Sequence, residues 1–116
     1  LPNAVDKKTK ICEKMQMPET ITVIARIQAR SGKELETEQV LTGLIRPTRS
    51  EPGCISYDLF AMPDNPGRYM FIETWHSRKD LTTHLQQPHV QAFIKCSDEL
   101  LSEPLDVSLW QHITGS

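Results

Sequence analysis

This 116-residue chain lacks an excess of either charge. Thirteen Lys and Arg stand against fifteen Asp and Glu, a formal net charge of −2. No basic field for nucleic acid follows from that balance, and no nucleic-acid partner is expected. No apolar run approaches the length of a membrane span, and no charged-then-apolar leader opens the sequence, so no membrane role is expected. Glycine-rich phosphate loops, internal repeats and low-complexity tracts are also missing. Cysteines number three, Cys12, Cys54 and Cys96, an odd count without CxxC spacing. That pattern points to reduced thiols and a cytoplasmic location; the start at Leu1 also fits a processed amino terminus and export. With 38% hydrophobic and 24% charged residues, the composition is that of one globular domain with a modest core.

Residues 1–19 are polar, without a sustained period, and read as an amino-terminal extension to a domain over 20–116. Residues 21–29 (ITVIARIQA) alternate as a strand, with Val23, Ala25, Ile27 and Ala29 on one face. A helix is predicted over 33–50, its inner positions Leu41, Leu44, Ile45 and Thr48, kinked at Pro47. Glu51-Pro52-Gly53-Cys54 fits a type II turn into a second strand over 54–61. The turn-forming run 62–67 (MPDNPG) makes a hairpin with a third strand over 68–75.

That third strand opens the part of the chain richest in chemistry. Tyr69, Phe71, Glu73 and Trp75 point to one side of it, a carboxylate and an indole N–H among aromatic rings. Ser77 caps the next helix with Asp80 three residues on, and Leu81, His84 and Leu85 share a face. Pro88 ends that helix, and a second one begins there with His89, Val90, Phe93 and Ile94 and runs to about Leu101. Residues 105–113 form a last strand, with Leu105, Val107 and Leu109 on one face.

The order β-α-β-β-α(α)-β defines an α+β, ferredoxin-like fold: a four-stranded antiparallel sheet with helices on one face. Apolar side chains on the sheet's other face then need cover, which predicts a homodimer packed sheet to sheet.

Four pieces in order, TVIARI, PTRSEPGCISYDL (47–59), PGRYMFIETWHS (66–77) and HLQQPHVQAF (84–93), resemble the antibiotic biosynthesis monooxygenase domain family. The resemblance spans residues 20–113. It implies a dimeric α/β barrel and, among the quinol monooxygenase-like members, oxygenation without metal, flavin or haem. The substrate is then a quinol, polyphenol or polyketide-like aromatic that reduces O₂ once deprotonated. The protein supplies a base, donors for the growing anion and a dry cavity. No metal site is expected either, since His84 and His89 stand five apart across a proline, the wrong spacing for two ligands on one helical face.

His84, His89 and Trp75 are the candidate catalytic residues, and Tyr57, Phe71, Glu73 and Phe93 the candidate substrate-binding ones. Each has a plain structural alternative. His89 caps its helix, His84 is a satisfied core histidine, Trp75 a core aromatic and Tyr57 a rim residue. Glu73 reads as structural first, holding a histidine or an arginine. Cys54 and Cys96 read as small core residues. Three other functions fit the same residues: an acid–base isomerase of a small polar metabolite, a non-catalytic ligand-binding dimer, and haem degradation. The last ranks low. The family's haem-degrading branch joins the strand tryptophan to a first-strand asparagine and a helix histidine, where this chain has Ala25 and Lys95.

Overall fold

The computed structural model describes residues 20–114; the extension read over 1–19 lies outside them. Strand β1 (Ile21–Gln28) is followed by helices α1 (Glu34–Gly43) and α2 (Ile45–Arg49), then by β2 (Cys54–Ala61) and β3 (Arg68–Trp75). Helices α3 (Arg78–Leu85) and α4 (Pro88–Leu100) and strand β4 (Asp106–Trp110) complete the chain. The sheet order is β2-β3-β1-β4, every neighbouring pair antiparallel. This is the ferredoxin-like arrangement expected from the order of elements.

Alternation decides which face of the sheet is buried. Ile21, Val23, Ala25 and Ile27 of β1 pack with Tyr69, Phe71 and Trp75 of β3, beneath Leu41, Leu44, Leu81, Phe93 and Leu100 from the helices. The opposite face presents half-buried Ile24, Met70 and Ile72 beside exposed Phe60 and Trp110. Among the described residues no helix is long and apolar enough to cross a membrane.

Three local expectations change. The helix foreseen over 33–50 is two helices, broken at Leu44, whose N–H turns to Leu41 O at 3.1 Å. Pro47 explains the position of the break: it lacks the N–H that would meet Gly43 O, and its ring claims the same space. The 51–54 turn closes through Cys54 N–H to Glu51 O at 3.1 Å. It is not type II, because Gly53 is absent from the positive-φ glycines, Gly32 and Gly67. Gly53 answers a different need, since a Cβ there would overlap the Asp80 side chain. Its carbonyl also accepts from His76 N at 3.0 Å. The turn is thereby tied to the start of α3, where Ser77 Oγ accepts from Asp80 N at 3.1 Å as foreseen. The last strand is five residues long rather than nine, ending at Trp110.

Candidate functional site

Between the helices and the sheet lies a cavity of about 140 Å³. Val23, Ala25 and Ile27 floor it, Leu44, Leu81, Val90 and Phe93 close it from the helices, and Leu105, Val107 and Leu109 edge it. Tyr57, Glu73 and His84 are the polar groups in an otherwise apolar lining. A larger depression, about 560 Å³, lies on the sheet's other side around Arg26, Phe60 and Met70. It contains neither a histidine nor a carboxylate.

The histidine is held from behind. His84 Nδ1 lies 2.7 Å from Glu51 Oε2, and the same oxygen lies 3.1 Å from His89 Nε2. Two helices and the anchored turn therefore converge on one carboxylate oxygen. The His84 ring packs against Trp75, centroids 4.4 Å apart, and meets Tyr57 edge-on at 5.7 Å. Burial lowers its pKa; hydrogen bond and charge from Glu51 oppose the fall, and His89 adds to it. A neutral imidazole with Nδ1–H donated to Glu51 follows, which leaves Nε2 as a proton acceptor. Nε2 has no hydrogen-bond partner among the described residues.

Glu73, 5% exposed, has a different partner: Trp75 Nε1–H donates to its Oε1 at 2.9 Å. Burial raises the Glu73 pKa to about 7, against the pull of the indole N–H and with a further push from Glu51. The carboxyl therefore changes charge near neutrality. Tyr57, stacked on Phe71 at 4.6 Å, is pushed far above the ordinary phenol value by burial and then by Glu73. Nearby Thr48 pulls the other way, although its own buried hydroxyl forms no well-aligned hydrogen bond. Burial likewise raises the Cys54 thiol, with Glu51 and Glu73 adding to the rise, so no thiolate forms there.

Five of the seven residues singled out from sequence line the cavity: Tyr57, Phe71, Glu73, His84 and Phe93. Two do not. Trp75 is fully buried beneath it with its N–H bonded to Glu73, so that donor is not free to meet a substrate. His89 faces a separate shallow depression with Val40, Ala92 and Cys96, and meets the site from behind, through Glu51 and an edge-on contact with the His84 ring at 6.1 Å. Leu85, read from sequence as sharing a helix face with Leu81 and His84, is 48% exposed and sits at the cavity rim.

Glu51 was missed. It lies 33 residues from His84 and 38 from His89, and nothing local marks it beyond a turn-forming proline and glycine. A helical-face argument also set aside any metal pair, yet donor atoms of Glu51, His84 and His89 all lie within 4.8 Å of one another. The proline that spoils one-helix spacing places the two imidazoles on two helices that face the same oxygen.

Residues 20–95 match the family described as antibiotic biosynthesis monooxygenase. The chain belongs to that family. It is 34% identical to "Putative monooxygenase Rv0793" of Mycobacterium tuberculosis over 80% of this chain and 91% of that protein. "Putative monooxygenase YcnE" of Bacillus subtilis is 31% identical over 75% of this chain and 92% of that one. An uncharacterised Synechocystis protein is 32% identical over 78% of this chain, which spans only 62% of that relative's length. Among solved structures, Rv0793 superposes with a TM-score of 0.80 over 84% of this chain and 99% of that one, at 32% identity. A structure described as an antibiotic biosynthesis monooxygenase gives 0.75 over 79% and 97%, at 27% identity.

Proposed function

We propose that this family member is a cofactor-independent monooxygenase of a quinol, polyphenol or polyketide-like aromatic, with His84 as the base. The observation that carries the reading is the Glu51–His84 pair, 2.7 Å apart, set at the polar end of an apolar cavity. Glu51 fixes the tautomer, and His84 Nε2 takes the proton of an acidic C–H or O–H on the substrate. The resulting anion passes one electron to O₂, and the radical pair closes a C–O bond as a hydroperoxide. Protonated His84 returns its proton to the peroxide; the remaining C–H proton of the oxygenated carbon then passes through His84 to the departing hydroxyl as the O–O bond breaks, a carbonyl forms, and water leaves. Substrate supplies all the electrons, so no outside reductant enters. Below about pH 7 the protonated Glu73 keeps a second negative charge out of the cavity while the anion develops, and Tyr57 and Phe71 stack on the ring.

Size supports an aromatic substrate. An apolar cavity of about 150 Å³ admits benzene, so 140 Å³ takes one ring, with further rings passing the rim at Leu85 and Val107. The lining favours this over a small polar metabolite, since only three of its side chains are polar. The apolar outer face of the sheet supports a homodimer packed face to face, which light scattering tests against the 13.2 kDa chain mass. The free thiols of Cys54 and Cys96 fit a reducing, cytoplasmic compartment.

Oxygen uptake on a panel of hydroquinones and anthrones, without flavin or nicotinamide and with EDTA present, tests the function. Turnover yielding one water per O₂ is the expected result. No uptake on any member, together with tight binding of the same compounds, would favour a ligand-binding module. A Soret shift on haem titration would move the reading to haem chemistry.

A further inference from the structure

We infer that Glu51, His84 and His89 form a binding site for a divalent transition ion of the zinc class, and that occupancy closes the proposed active site. The donor set is two imidazole nitrogens and one carboxylate oxygen, a combination suited to zinc, cobalt and iron. All three donor atoms lie within 4.8 Å of one another, and the carboxylate oxygen is 2.7 and 3.1 Å from the two nitrogens. A tetrahedral ion with bonds near 2.0–2.1 Å needs donors roughly 3.3 Å apart. Small side-chain rotations reach that spacing from here. Three protein ligands leave one position for water or a substrate oxygen.

The site is also preorganised. Side-chain exposure is 5% at His84, 11% at Glu51 and 20% at His89, so little desolvation remains to be done on binding. Packing on Trp75 holds the His84 ring, and the Gly53 turn holds Glu51. The shallow depression lined by His89 gives an ion a route in that bypasses the cavity.

The functional consequence is a matter of which nitrogen carries the proton. In the metal-free protein Nδ1–H of His84 donates to Glu51, and Nε2 accepts from the substrate. A metal on Nδ1 takes that lone pair and moves the ring proton to Nε2, facing the cavity. His84 can then donate there but no longer accept. This consequence rests on the proposed role of His84; metal binding itself does not.

The test uses untagged, EDTA-treated full-length chain, so that binding and turnover are read separately. Cobalt(II) is followed by its visible absorption and zinc by calorimetry. One equivalent per chain is expected, with tetrahedral-type cobalt bands. Glu51→Gln and His89→Ala should each weaken binding by more than the roughly 10–100-fold that loss of an outer-shell partner costs. Absence of saturable uptake, or unchanged affinity in both variants, overturns the site. On a turned-over substrate, zinc should inhibit the wild-type chain in proportion to occupancy, and His89→Ala should lose that sensitivity whatever its basal rate. Full occupancy with undiminished turnover overturns the closing effect and the role given to His84, while the metal site stands on the cobalt spectrum.

Discussion

Glu51 and Glu73 are carboxylates of one site in two environments. Glu51 sits on a turn behind the cavity wall and meets two imidazoles; Glu73 lies on β3, lines the cavity and meets one indole N–H. Imidazoles can take up positive charge to match an anion, and an indole cannot. A neutral hydrogen bond contributes about 1 kcal/mol net, while a rise from 4.5 to about 7 corresponds to about 3 kcal/mol. Burial therefore outweighs the Trp75 bond at Glu73. The carboxylate that stays behind the wall can orient a base, and the one in the cavity keeps its proton up to about pH 7.

The largest effect should come from His84. Replacing it with Ala should lower oxygen uptake by about 10²–10⁴-fold, the usual range for a general acid–base group. Melting temperature serves as the folding control, because the ring packs on Trp75. A change within twofold would make His84 a core histidine and break the comparison at Glu51.

Next is Glu73→Gln, which keeps the size and an acceptor for Trp75 and removes the charge. In the wild-type chain the folded state keeps its proton up to about pH 7, whereas an unfolded glutamate loses it near 4.5. The stability this group contributes is thus complete below about pH 4.5 and lost as pH rises to about 7. The variant should be more stable than wild type by about 3 kcal/mol at alkaline pH and equal to it in acid. Denaturant midpoints across that range check the slope. A parallel offset at every pH would mean Glu73 does not titrate near neutrality.

Glu51→Gln should slow turnover by about tenfold or more, since a neutral amide no longer specifies the His84 tautomer. Its pH–rate profile should also move, which a packing defect alone would not cause. The smallest effect is Trp75→Phe. Loss of the N–H to Glu73 should destabilise the fold by about 1 kcal/mol beyond the lost packing. It should also raise the Glu73 pKa further, visible as a later break in the stability–pH curve.

Several pieces of the site were legible from residue order. Alternation put Phe71 and Glu73 on one side of β3, and the Ser77–Asp80 cap set the phase of α3 that turns His84 inward. Phe93 followed from the helical period after Pro88. Trp75 shows the limit of that logic. Sharing a face with Glu73 placed it on the correct side of the sheet, but its two-residue neighbour took its only donor. Whether a residue on a buried face meets a cavity or another side chain depends on what the helices leave uncovered.

The sequence by itself determined the element order, the inward faces of the strands and the need for turns at 51–54 and 62–67. Those follow from local rules: period two in strands, 3.6 in helices, and the backbone limits of proline and glycine. Only the tertiary structure decided that Glu51 meets His84 and His89, because that contact joins residues 33 and 38 positions apart through a turn docked on α3. It also decided which histidine faces the cavity. Pairings of that kind are set by how packed elements approach one another, and no local period records it.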